Sequence, residues 1–285
     1  MNMGTKDKYA FFTIDVERFA DTECVYNTGV KIKQTMLDGL DRYIEMLEKH
    51  NIKATLFVLS DLAEEIVEKL KHYIQRGHKL ALHGKNHAPL DTISNEQFEE
   101  QIVHARNKLE KMFGVPIVGY RAPCFSIDRD KLDILRRLGF VYDSSCIDFS
   151  AARHTTDVNM DDFKVSETGA LEKKGFYEFG LSTQKVFGKN FPVSGGGYIR
   201  LSNWLFAQSL IHKYIKKNIN YVFYLHPFEF SKERMPILKN LKAYDKYYLK
   251  YGKNSYPYKV ECIIKKLKRF GFKFATFEEV SAGIE

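Results

Sequence analysis

The sequence predicts an α/β fold in which parallel strands alternate with helices. Short, continuous apolar runs such as Tyr9–Ile14 and Lys53–Leu59 have the length of strands that are buried on both faces. Segments with helical spacing of apolar residues follow them, and strand and helix alternate about seven times along the chain. Strands joined by crossover helices are parallel. Polar clusters follow directly behind several of these strands, where the carboxyl ends of parallel strands share one face.

The first strand, Tyr9–Ile14, ends in two carboxylates that are two residues apart, Asp15 and Glu17. Side chains alternate along an extended chain, so both carboxylates point the same way. Two carboxylates on one side of a strand end are unfavourable without a cation or a proton between them. An ordinary acidic loop is the alternative.

The next elements lead to a pair of histidines. A helix is predicted over Thr35–Lys49 and a second strand over Lys53–Leu59. Ser60 is the expected N-cap of a further helix, which Gly77 ends. The third strand is Lys79–Leu82.

His83 and His87 follow this third strand at a spacing of four residues. Such a spacing brings two side chains within about 5–6 Å on a helical turn, and neutral imidazole is a common metal ligand. Gly84 and Pro89 argue against a regular helix, so we expect a turn at the carboxyl end of the strand. Two surface histidines in a loop are the alternative.

The middle of the chain repeats the strand-and-helix pattern and then loses it. Its predicted elements are a capping-box helix from Ser94 to Phe113, a strand Ile117–Tyr120 before Arg121–Cys124, a helix Arg129–Leu138, and a strand Phe140–Tyr142 before Asp143–Ser145. Residues 146–200 show no helical period and contain a Gly195–Gly197 turn, with Phe176–Leu181 as a strand candidate. We therefore expect one domain, 1–285, with an irregular insertion at about 146–200.

Regular structure resumes after the insertion. The predicted elements are a helix Asn203–Lys217, a strand Tyr221–Leu225 ending in His226-Pro227, a helix Tyr258–Arg269, a strand Phe272–Ala275, and a terminal helix capped by Thr276.

Composition and charge limit the function classes. The chain has 285 residues, 44% of them hydrophobic, and a net charge of +8, with many lysines in Lys239–Lys273. A solvated lysine face explains that segment, and an anionic partner such as a lipid phosphate or nucleotide is the alternative. No dinucleotide, Walker, zinc-finger or helix-turn-helix pattern occurs, so we expect no nucleotide cofactor and no nucleic acid.

The cysteines and the N-terminus bear on the compartment. Four cysteines, Cys24, Cys124, Cys146 and Cys262, are far apart and are expected to be reduced thiols in a cytosolic protein. The N-terminus lacks an apolar signal core, and no stretch approaches the roughly 20 apolar residues of a membrane span. We therefore expect a cytoplasmic protein.

The order of the motifs resembles that of the polysaccharide deacetylases, carbohydrate esterase family four with the NodB-homology domain. The resemblance covers roughly Tyr9–Glu285. Its motifs are Thr13-Ile14-Asp15-Val16-Glu17, His83 with His87, Arg121-Ala122-Pro123-Cys124, and Leu225-His226-Pro227. Other segments resemble the branch associated with exopolysaccharide and lipid-linked glycan assembly; they are Gly119–Pro123, Tyr142-Asp143-Ser144-Ser145 and Gly195-Gly196-Gly197-Tyr198-Ile199-Arg200-Leu201.

The resemblance implies a distorted (β/α)7 barrel and metal-dependent hydrolysis of an N-acetyl group on a sugar. It makes Asp15 the general base, oriented by Arg121, and His226 the general acid. It also implies a divalent metal ion, expected to be zinc, whose ligands are Glu17, His83 and His87. The remaining roles are an oxyanion contact by the backbone N–H of Cys124 and substrate contacts by Tyr142, Gly196, Gly197 and Tyr198.

Three positions depart from the family pattern. Many relatives have Asp where this chain has Glu17, and the similar branch often has a further acid where this chain has Arg18. Cys124 replaces a residue that is commonly Tyr or Ser, an exchange that a role for the N–H alone tolerates.

The chemistry of amide hydrolysis agrees with this residue set. A cation polarises the carbonyl oxygen and lowers the pKa of bound water, a second carboxylate takes the proton, and a histidine protonates the leaving amine. Two imidazoles and one carboxylate leave open positions, as in catalytic zinc sites.

Several alternatives remain open at this stage. They are a ring-opening amidohydrolase, a deformylase, a glycan-binding barrel without catalysis, and a nucleic-acid-binding protein. The expected substrate is an amino-sugar glycan or an intermediate on a nucleotide or polyprenyl carrier, met in the cytoplasm or at the inner membrane face. The lysine-rich segment predicts a preference for phosphate-bearing substrates, together with peripheral contact with an anionic membrane surface. An oligomer is compatible with the sequence.

Overall fold

The computed structural model describes residues 7–26, 28, 32–149, 158–237 and 241–283. Its strands are β1 (Tyr9–Val16), β2 (Ala54–Val58), β3 (Lys79–Leu82), β4 (Gly119–Tyr120), β5 (Tyr142–Asp143), β6 (Lys164–Val165), β7 (Leu171–Lys173), β8 (Phe176–Glu178), β9 (Thr183–Val186), β10 (Lys189–Pro192), β11 (Tyr221–Phe223) and β12 (Lys273–Phe274).

The helices lie between and after these strands. They are α1 (Glu23–Tyr26), α2 (Asp38–Lys49), α3 (Ser60–Ala63), α4 (Val67–Gln75), α5 (Asn95–Phe113), α6 (Arg129–Arg137), α7 (Gly196–Leu201), α8 (Trp204–Ile215), α9 (Pro227–Phe230), α10 (Ala243–Lys250), α11 (Tyr256–Arg269) and α12 (Phe277–Ser281). Short 3₁₀ turns occur at Phe19–Asp21, Glu64–Ile66, Leu90–Thr92, Pro123–Phe125 and Lys253–Ser255. None of the described helices is both long and apolar enough to cross a bilayer.

The main sheet is parallel over most of its width, which confirms the predicted α/β fold. Its order is β11-β1-β2-β3-β4-β5-β8-β7-β6, and only the last two pairings are antiparallel. β12 adds a short parallel pairing with the start of β1. Between β8 and β11 the barrel closes through a loop: Ser182 O accepts from Val193 N, and Ser194 O accepts from Tyr224 N, both at 2.8 Å. The sheet is therefore a distorted barrel.

The interior of the curled sheet is filled by aromatic rings. Phe277, at the start of α12, lies 4.5 Å from Phe179 and 4.6 Å from Phe11 between ring centroids. Phe57 and Tyr142 complete this cluster, and all five side chains are buried. Every residue of β2 is buried. This packed interior leaves the carboxyl ends of the strands as the place for a site.

Most helix predictions are confirmed. Ser94 and Gln97 form the capping box of α5, and Thr276 with Glu279 forms that of α12. The prediction for Ser60 is wrong: Ser60 is the first residue of α3, Leu59 occupies the N-cap position, and no side chain caps it. Gly77 does follow the end of α4, with a φ of +89° that favours glycine.

The 146–200 segment contains more regular structure than its sequence indicates. In its described part, β6 and β7 extend the main sheet from β8, and β9 pairs with β10 in a separate hairpin. The first half of the strand candidate Phe176–Leu181 is β8, which pairs in parallel with β5. β5 begins two residues later than predicted and ends one residue later, at Asp143.

Candidate active site

Polar residues behind three of the parallel strands, β1, β3 and β11, meet at one cavity, as the topology predicts. Asp15 lies near the end of β1, and Glu17 follows that strand. His83 follows β3 and His226 follows β11. All four line a cavity of about 490 Å³. The sheet therefore brings these side chains to a common site, although more than two hundred residues separate Asp15 from His226 in the chain.

Glu17, His83 and His87 form a buried cluster in this cavity. Their ligand atoms lie within 4.8 Å of one another. The two imidazole centroids are 5.4 Å apart, and no helix spans the turn between them, as predicted.

The tautomer of His83 is set by its surroundings. His83 Nδ1 lies 2.9 Å from the carbonyl oxygen of Arg121, so the ring N–H donates there and Nε2 keeps its lone pair. Nε2 is buried and has no hydrogen-bond partner among the described residues. Burial also lowers the pKa of His83 to about 4, which keeps the ring neutral. A neutral imidazole whose buried Nε2 has a free lone pair can bind a metal ion.

Glu17 and His87 approach each other as a charged pair. Glu17 Oε2 lies 2.8 Å from His87 Nε2, and apart from this ring no donor among the described residues hydrogen-bonds to Glu17. Burial lowers the pKa of His87, but the charge of Glu17 and the hydrogen bonds to Cys124 and Glu17 together raise it well above its ordinary value. The donor set, two imidazole nitrogens and a carboxylate, fits a divalent transition metal such as zinc.

Asp15 is held as a carboxylate by a fully buried arginine. Arg121 Nη1 lies 2.7 Å from Asp15 Oδ1 and 2.8 Å from Thr13 Oγ1. Arg121 also donates to Ser144 through Nε and Nη2, at 2.9 Å and 2.8 Å. Burial raises the pKa of Asp15, but the Arg121 charge, with His83 and His226, holds it below its ordinary value. Asp15 is thus ionised and fixed in direction.

His226 approaches both carboxylates from the end of the neighbouring strand, β11. Its Nε2 lies 4.0 Å from Asp15 Oδ2 and 3.9 Å from Glu17 Oε1. Burial lowers its pKa, but Glu17, Glu229 and Asp15 together raise it to about 9. His226 is therefore protonated near neutral pH.

A buried ion pair behind His226 was not predicted from the sequence. Glu229 Oε2 lies 3.5 Å from His226 Nδ1, and Glu229 Oε1 lies 2.7 Å from Arg200 Nε. Arg200 also donates to the carbonyl of Tyr251. The sequence carries a signal for Glu229: it stands three residues after His226, with Pro227 between them at the first position of α9. That spacing is typical of a capping box.

The turn after Arg121 has an unusual backbone. Cys124 and Phe125 have φ values of +55° and +56°, in the left-handed region that non-glycine residues rarely adopt. Cys124 lines the cavity, and its Sγ lies 3.9 Å from His87 Nδ1. The oxyanion role of its N–H stays a prediction.

The predicted substrate contacts divide into two groups. Gly197 and Tyr198 line the cavity. Tyr142 does not, because its ring is fully buried among the aromatic residues of the barrel interior. The prediction that Tyr142 contacts substrate is therefore wrong. Gly196 is also buried, and a Cβ there would lie 2.8 Å from the Tyr224 hydroxyl. It permits close packing and does not line the cavity.

The rest of the cavity wall is aromatic and acidic. The described residues that line it include no lysine or arginine. They include four carboxylates, of Asp15, Glu17, Glu23 and Asp245. Their aromatic members, which sequence reasoning missed apart from Tyr198, are Phe125, Phe149, Tyr198, Tyr224, Tyr244 and Tyr248.

Comparison with known proteins identifies the fold family. Residues 29–142 match the polysaccharide deacetylase family, and residues 144–281 match a domain of unknown function, DUF3473. Residues 29–142 therefore form a polysaccharide deacetylase domain. The branch associated with exopolysaccharide assembly is not identified by these matches.

Several curated relatives are named as deacetylases. A peptidoglycan deacetylase-like protein of Gibberella zeae is 30% identical over 38% of the chain and 32% of its own length. Chitin deacetylase 1 of Cryptococcus neoformans is 25% identical over 59% of the chain and 34% of its own length. The chain thus spans about a third of the length of these deacetylases.

Several solved structures share the fold at low identity. A putative polysaccharide deacetylase from Mycobacterium smegmatis gives a TM-score of 0.63 at 18% identity, covering 100% of this chain and 92% of that one. An allantoinase gives 0.61 at 11% identity, covering 98% and 91%. A mutant of a CE4 family pseudoenzyme gives 0.53 at 15% identity, covering 97% and 68%. Proteins with this fold therefore differ in activity, so the activity has to be inferred from the residues of the site.

Proposed function

We propose that the chain is a hydrolase of carbon–nitrogen bonds that removes the N-acetyl group from an amino sugar in a glycan. The observation that carries this proposal is the meeting of an ionised carboxylate, a protonated imidazole and a ligand trio in one cavity. Asp15 Oδ2 and His226 Nε2 are 4.0 Å apart, beside Glu17. An amide needs a base for water and an acid for the leaving amine, and the two groups are already in those states.

Glu17, His83 Nε2 and His87 Nε2 would hold a divalent transition metal, and this donor set favours zinc. When bound, such a metal polarises the substrate carbonyl and makes a bound water more acidic. The three protein ligands leave coordination positions open for water and substrate. The Arg121 carbonyl fixes His83, and Cys124 Sγ is placed to accept from His87 Nδ1.

Asp15 would take the proton from the attacking water. Arg121 keeps it ionised and directs one of its oxygens, which leaves Oδ2 toward the cavity and His226. The backbone N–H of Cys124 would stabilise the negative charge that develops on the carbonyl oxygen.

His226 would give a proton to the departing amine. An amine anion is a poor leaving group, so the acid has to be charged before the C–N bond breaks. The raised pKa of about 9 supplies that charge near neutral pH. Glu229 and Arg200 hold the ring in place from behind.

The cavity wall favours a neutral sugar at the reacting position. Aromatic faces such as Tyr198 and Tyr244 suit stacking against a pyranose ring, and the described wall has no lysine or arginine for a phosphate. Relatives named for chitin and peptidoglycan support an amino-sugar polymer as substrate. A carrier-linked intermediate in exopolysaccharide assembly, met in the cytoplasm, remains the narrower proposal. Its phosphate would lie beyond the described wall.

Acetate release tests this function. Purified protein, stripped of metal and reloaded with zinc, is incubated with N-acetylated oligosaccharides, nucleotide sugars and lipid-linked sugars. We expect metal-dependent acetate release from an amino sugar, and His83→Ala should lose metal and activity while remaining folded. Full metal occupancy in His83→Ala would refute the ligand assignment, and release of formate or ring-opened product alone would refute the acetyl assignment.

A further inference from the structure

We propose that Asp143 and Glu178 share one proton as a buried carboxyl pair and, through Ser145, position the turn that carries the oxyanion contact. This makes Asp143 a positioning residue for the proposed deacetylation, so the inference rests on the proposed function. Asp143 belongs to a segment, Tyr142–Ser145, whose polar residues line no part of the cavity.

The two carboxyl groups face each other across the sheet. Asp143 on β5 and Glu178 on β8 are partners in the parallel ladder, and both side chains are buried. Paired residues of neighbouring strands point to the same face of a sheet, so the two carboxyl groups lie side by side. Two ionised carboxylates buried side by side are unfavourable unless a proton lies between them.

The hydrogen bonds that the pair accepts locate the shared proton on Glu178. Asp143 Oδ1 accepts from Ser145 N, and Asp143 Oδ2 accepts from Ser145 Oγ, both at 2.8 Å. Glu178 Oε1 accepts from Cys146 N at 3.0 Å. Glu178 Oε2 has no donor among the described residues. Oε2 is therefore the oxygen that carries the proton toward Asp143.

The titratable groups around the pair agree with this arrangement. Burial and the Asp143 charge raise the pKa of Glu178 well above its ordinary value. The nearby groups are the Cys146 thiol, whose own pKa is raised, the Tyr120 phenol and the Arg121 guanidinium. Arg121 is the only cation among them, and it is already paired with Asp15. The pair thus carries a single negative charge.

Asp143 acts on the cavity through the Ser145 hydroxyl. Because Ser145 Oγ gives its proton to Asp143, its lone pairs are directed at Ala122 N, which donates to it at 2.8 Å. Ala122 opens the turn in which Cys124 and Phe125 adopt left-handed backbone. Such backbone is unfavourable for a residue with a side chain and persists only when neighbouring contacts hold it. Ser145 supplies one of these contacts.

The arrangement predicts an asymmetry between two conservative substitutions. Glu178→Gln replaces the O–H donor with an N–H donor, so Asp143 keeps all its partners. Asp143→Asn leaves one acceptor oxygen where two are in use, so either Ser145 N or Ser145 Oγ loses its acceptor. A purely space-filling role would treat the two amides alike.

Kinetics of four variants measure this asymmetry. We expect Asp143→Asn and Ser145→Ala to lower kcat by about 10- to 100-fold, the scale of a small misplacement of reacting groups, with KM and metal content close to wild type. Glu178→Gln should stay within about threefold. Ser182→Ala is the matched control: its hydroxyl is also buried and accepts a backbone N–H, that of Val222, at 2.9 Å, away from the turn. Equal losses in Glu178→Gln and Asp143→Asn, or in Ser182→Ala and Ser145→Ala, would overturn the inference.

Two further readouts do not depend on activity. An infrared C=O band of a protonated carboxylic acid should be present in the wild type at pH 8 and missing in Glu178→Gln; its absence from the wild type would refute the shared proton. Amide exchange at Ala122 should accelerate in Ser145→Ala and Asp143→Asn but not in Glu178→Gln; unchanged exchange would refute the positioning role. A wild-type protein that releases no acetate refutes the proposed function alone, since these readouts still decide the inference.

Discussion

The candidate base and acid owe their protonation states to buried partners. Asp15 is ionised because Arg121, with no exposed surface, lies 2.7 Å away. His226 is protonated because Glu17, Glu229 and Asp15 surround it. Each partner comes from a different part of the chain, so the sequence predicts the reacting residues more readily than the residues that tune them.

Asp15→Asn separates the base from the metal ligands. The amide keeps the size of the side chain but cannot take a proton, so we expect a loss of at least ~10²-fold in kcat with metal content unchanged. Metal analysis and steady-state kinetics on the same preparation measure both. If Asp15→Asn loses metal while Glu17→Gln retains it, the two carboxylates have exchanged roles.

Glu229→Gln tests the pairing behind the acid. Removing this charge lowers the pKa of His226, which Glu17, Glu229 and Asp15 now raise to about 9. Because the protonated form is the acid, activity is lost as pH rises through this pKa. The alkaline limb of the kcat profile should therefore move to lower pH. The control is Glu99→Gln, whose carboxylate pairs with Arg137 at the surface. An unmoved alkaline limb in Glu229→Gln would exclude this role.

At the scale of elements, the long and strongly patterned segments were predictable and the short ones were not. β1 and β2 are continuous apolar runs because both faces are covered. β6 has two residues, and both are exposed, so its sequence shows no alternation of apolar and polar residues that would indicate a strand. The hairpin of β9 and β10 is mostly polar and part-exposed for the same reason. These strands are defined by pairing partners, which a single sequence does not reveal.

His78 links β2 to the approach of β3, which gives a prediction for stability. Ala54 N donates to His78 Nδ1 at 2.9 Å, and the imidazole is buried. His78→Ala leaves this buried N–H without an acceptor, so we expect a loss of about 1–3 kcal/mol in the free energy of unfolding. His72→Ala, at an exposed position of α4, is the control and should change little. Chemical denaturation of both variants at pH 7.5 measures the difference, and equal losses would contradict the assignment.

The same histidine predicts the direction of a pH effect. Burial, together with Lys53 and Arg76, lowers the pKa of His78 to about 4. Between the unfolded value near 6.5 and this value, the unfolded chain binds a proton that the folded chain does not. Stability contributed by the neutral ring is therefore lost as pH falls from about 6.5 to 4. Wild type should lose more stability than His78→Ala between pH 7.5 and 5; a larger loss in the variant would reverse the sign.

At the scale of the molecule, parallel topology explains why the site could be predicted at all. Five polar clusters lie behind strands whose carboxyl ends share one face, and the sheet brings Asp15, His83 and His226 together. The ion pair of Glu229 and Arg200 was not predicted, because it depends on how α7 and α9 pack against each other. Tyr142 was misplaced for a related reason: the alternation of its strand turns Tyr142 into the barrel interior.

The distribution of positive charge also differs from the simplest interpretation of the sequence. In the described part of Lys239–Lys273, several lysines have partners within the chain. Lys259 Nζ donates to the carbonyls of Ile199, Arg200 and Ser202 near the end of α7. Lys268 donates to the His50 carbonyl, and Lys265 pairs with Glu261. These lysines stabilise helix ends and surface contacts, so the net charge of +8 overstates the field that a ligand meets.

The cavity and the lysines together predict how substrate charge and salt affect the rate. The described cavity wall has four carboxylates and no lysine or arginine, so a neutral N-acetylated chitooligosaccharide meets no unfavourable charge there, whereas a phosphate near the reacting sugar is repelled. We expect the neutral substrate to be deacetylated at least as fast as a phosphate-bearing one, with kcat/KM changing less than about threefold between low and physiological salt. Lys250→Glu, at an exposed position at the end of α10, should leave both rates unchanged. A phosphate-bearing substrate that is strongly preferred at low salt, with a preference that fades as salt rises and in Lys250→Glu, would show instead that the lysine-rich segment binds an anionic carrier.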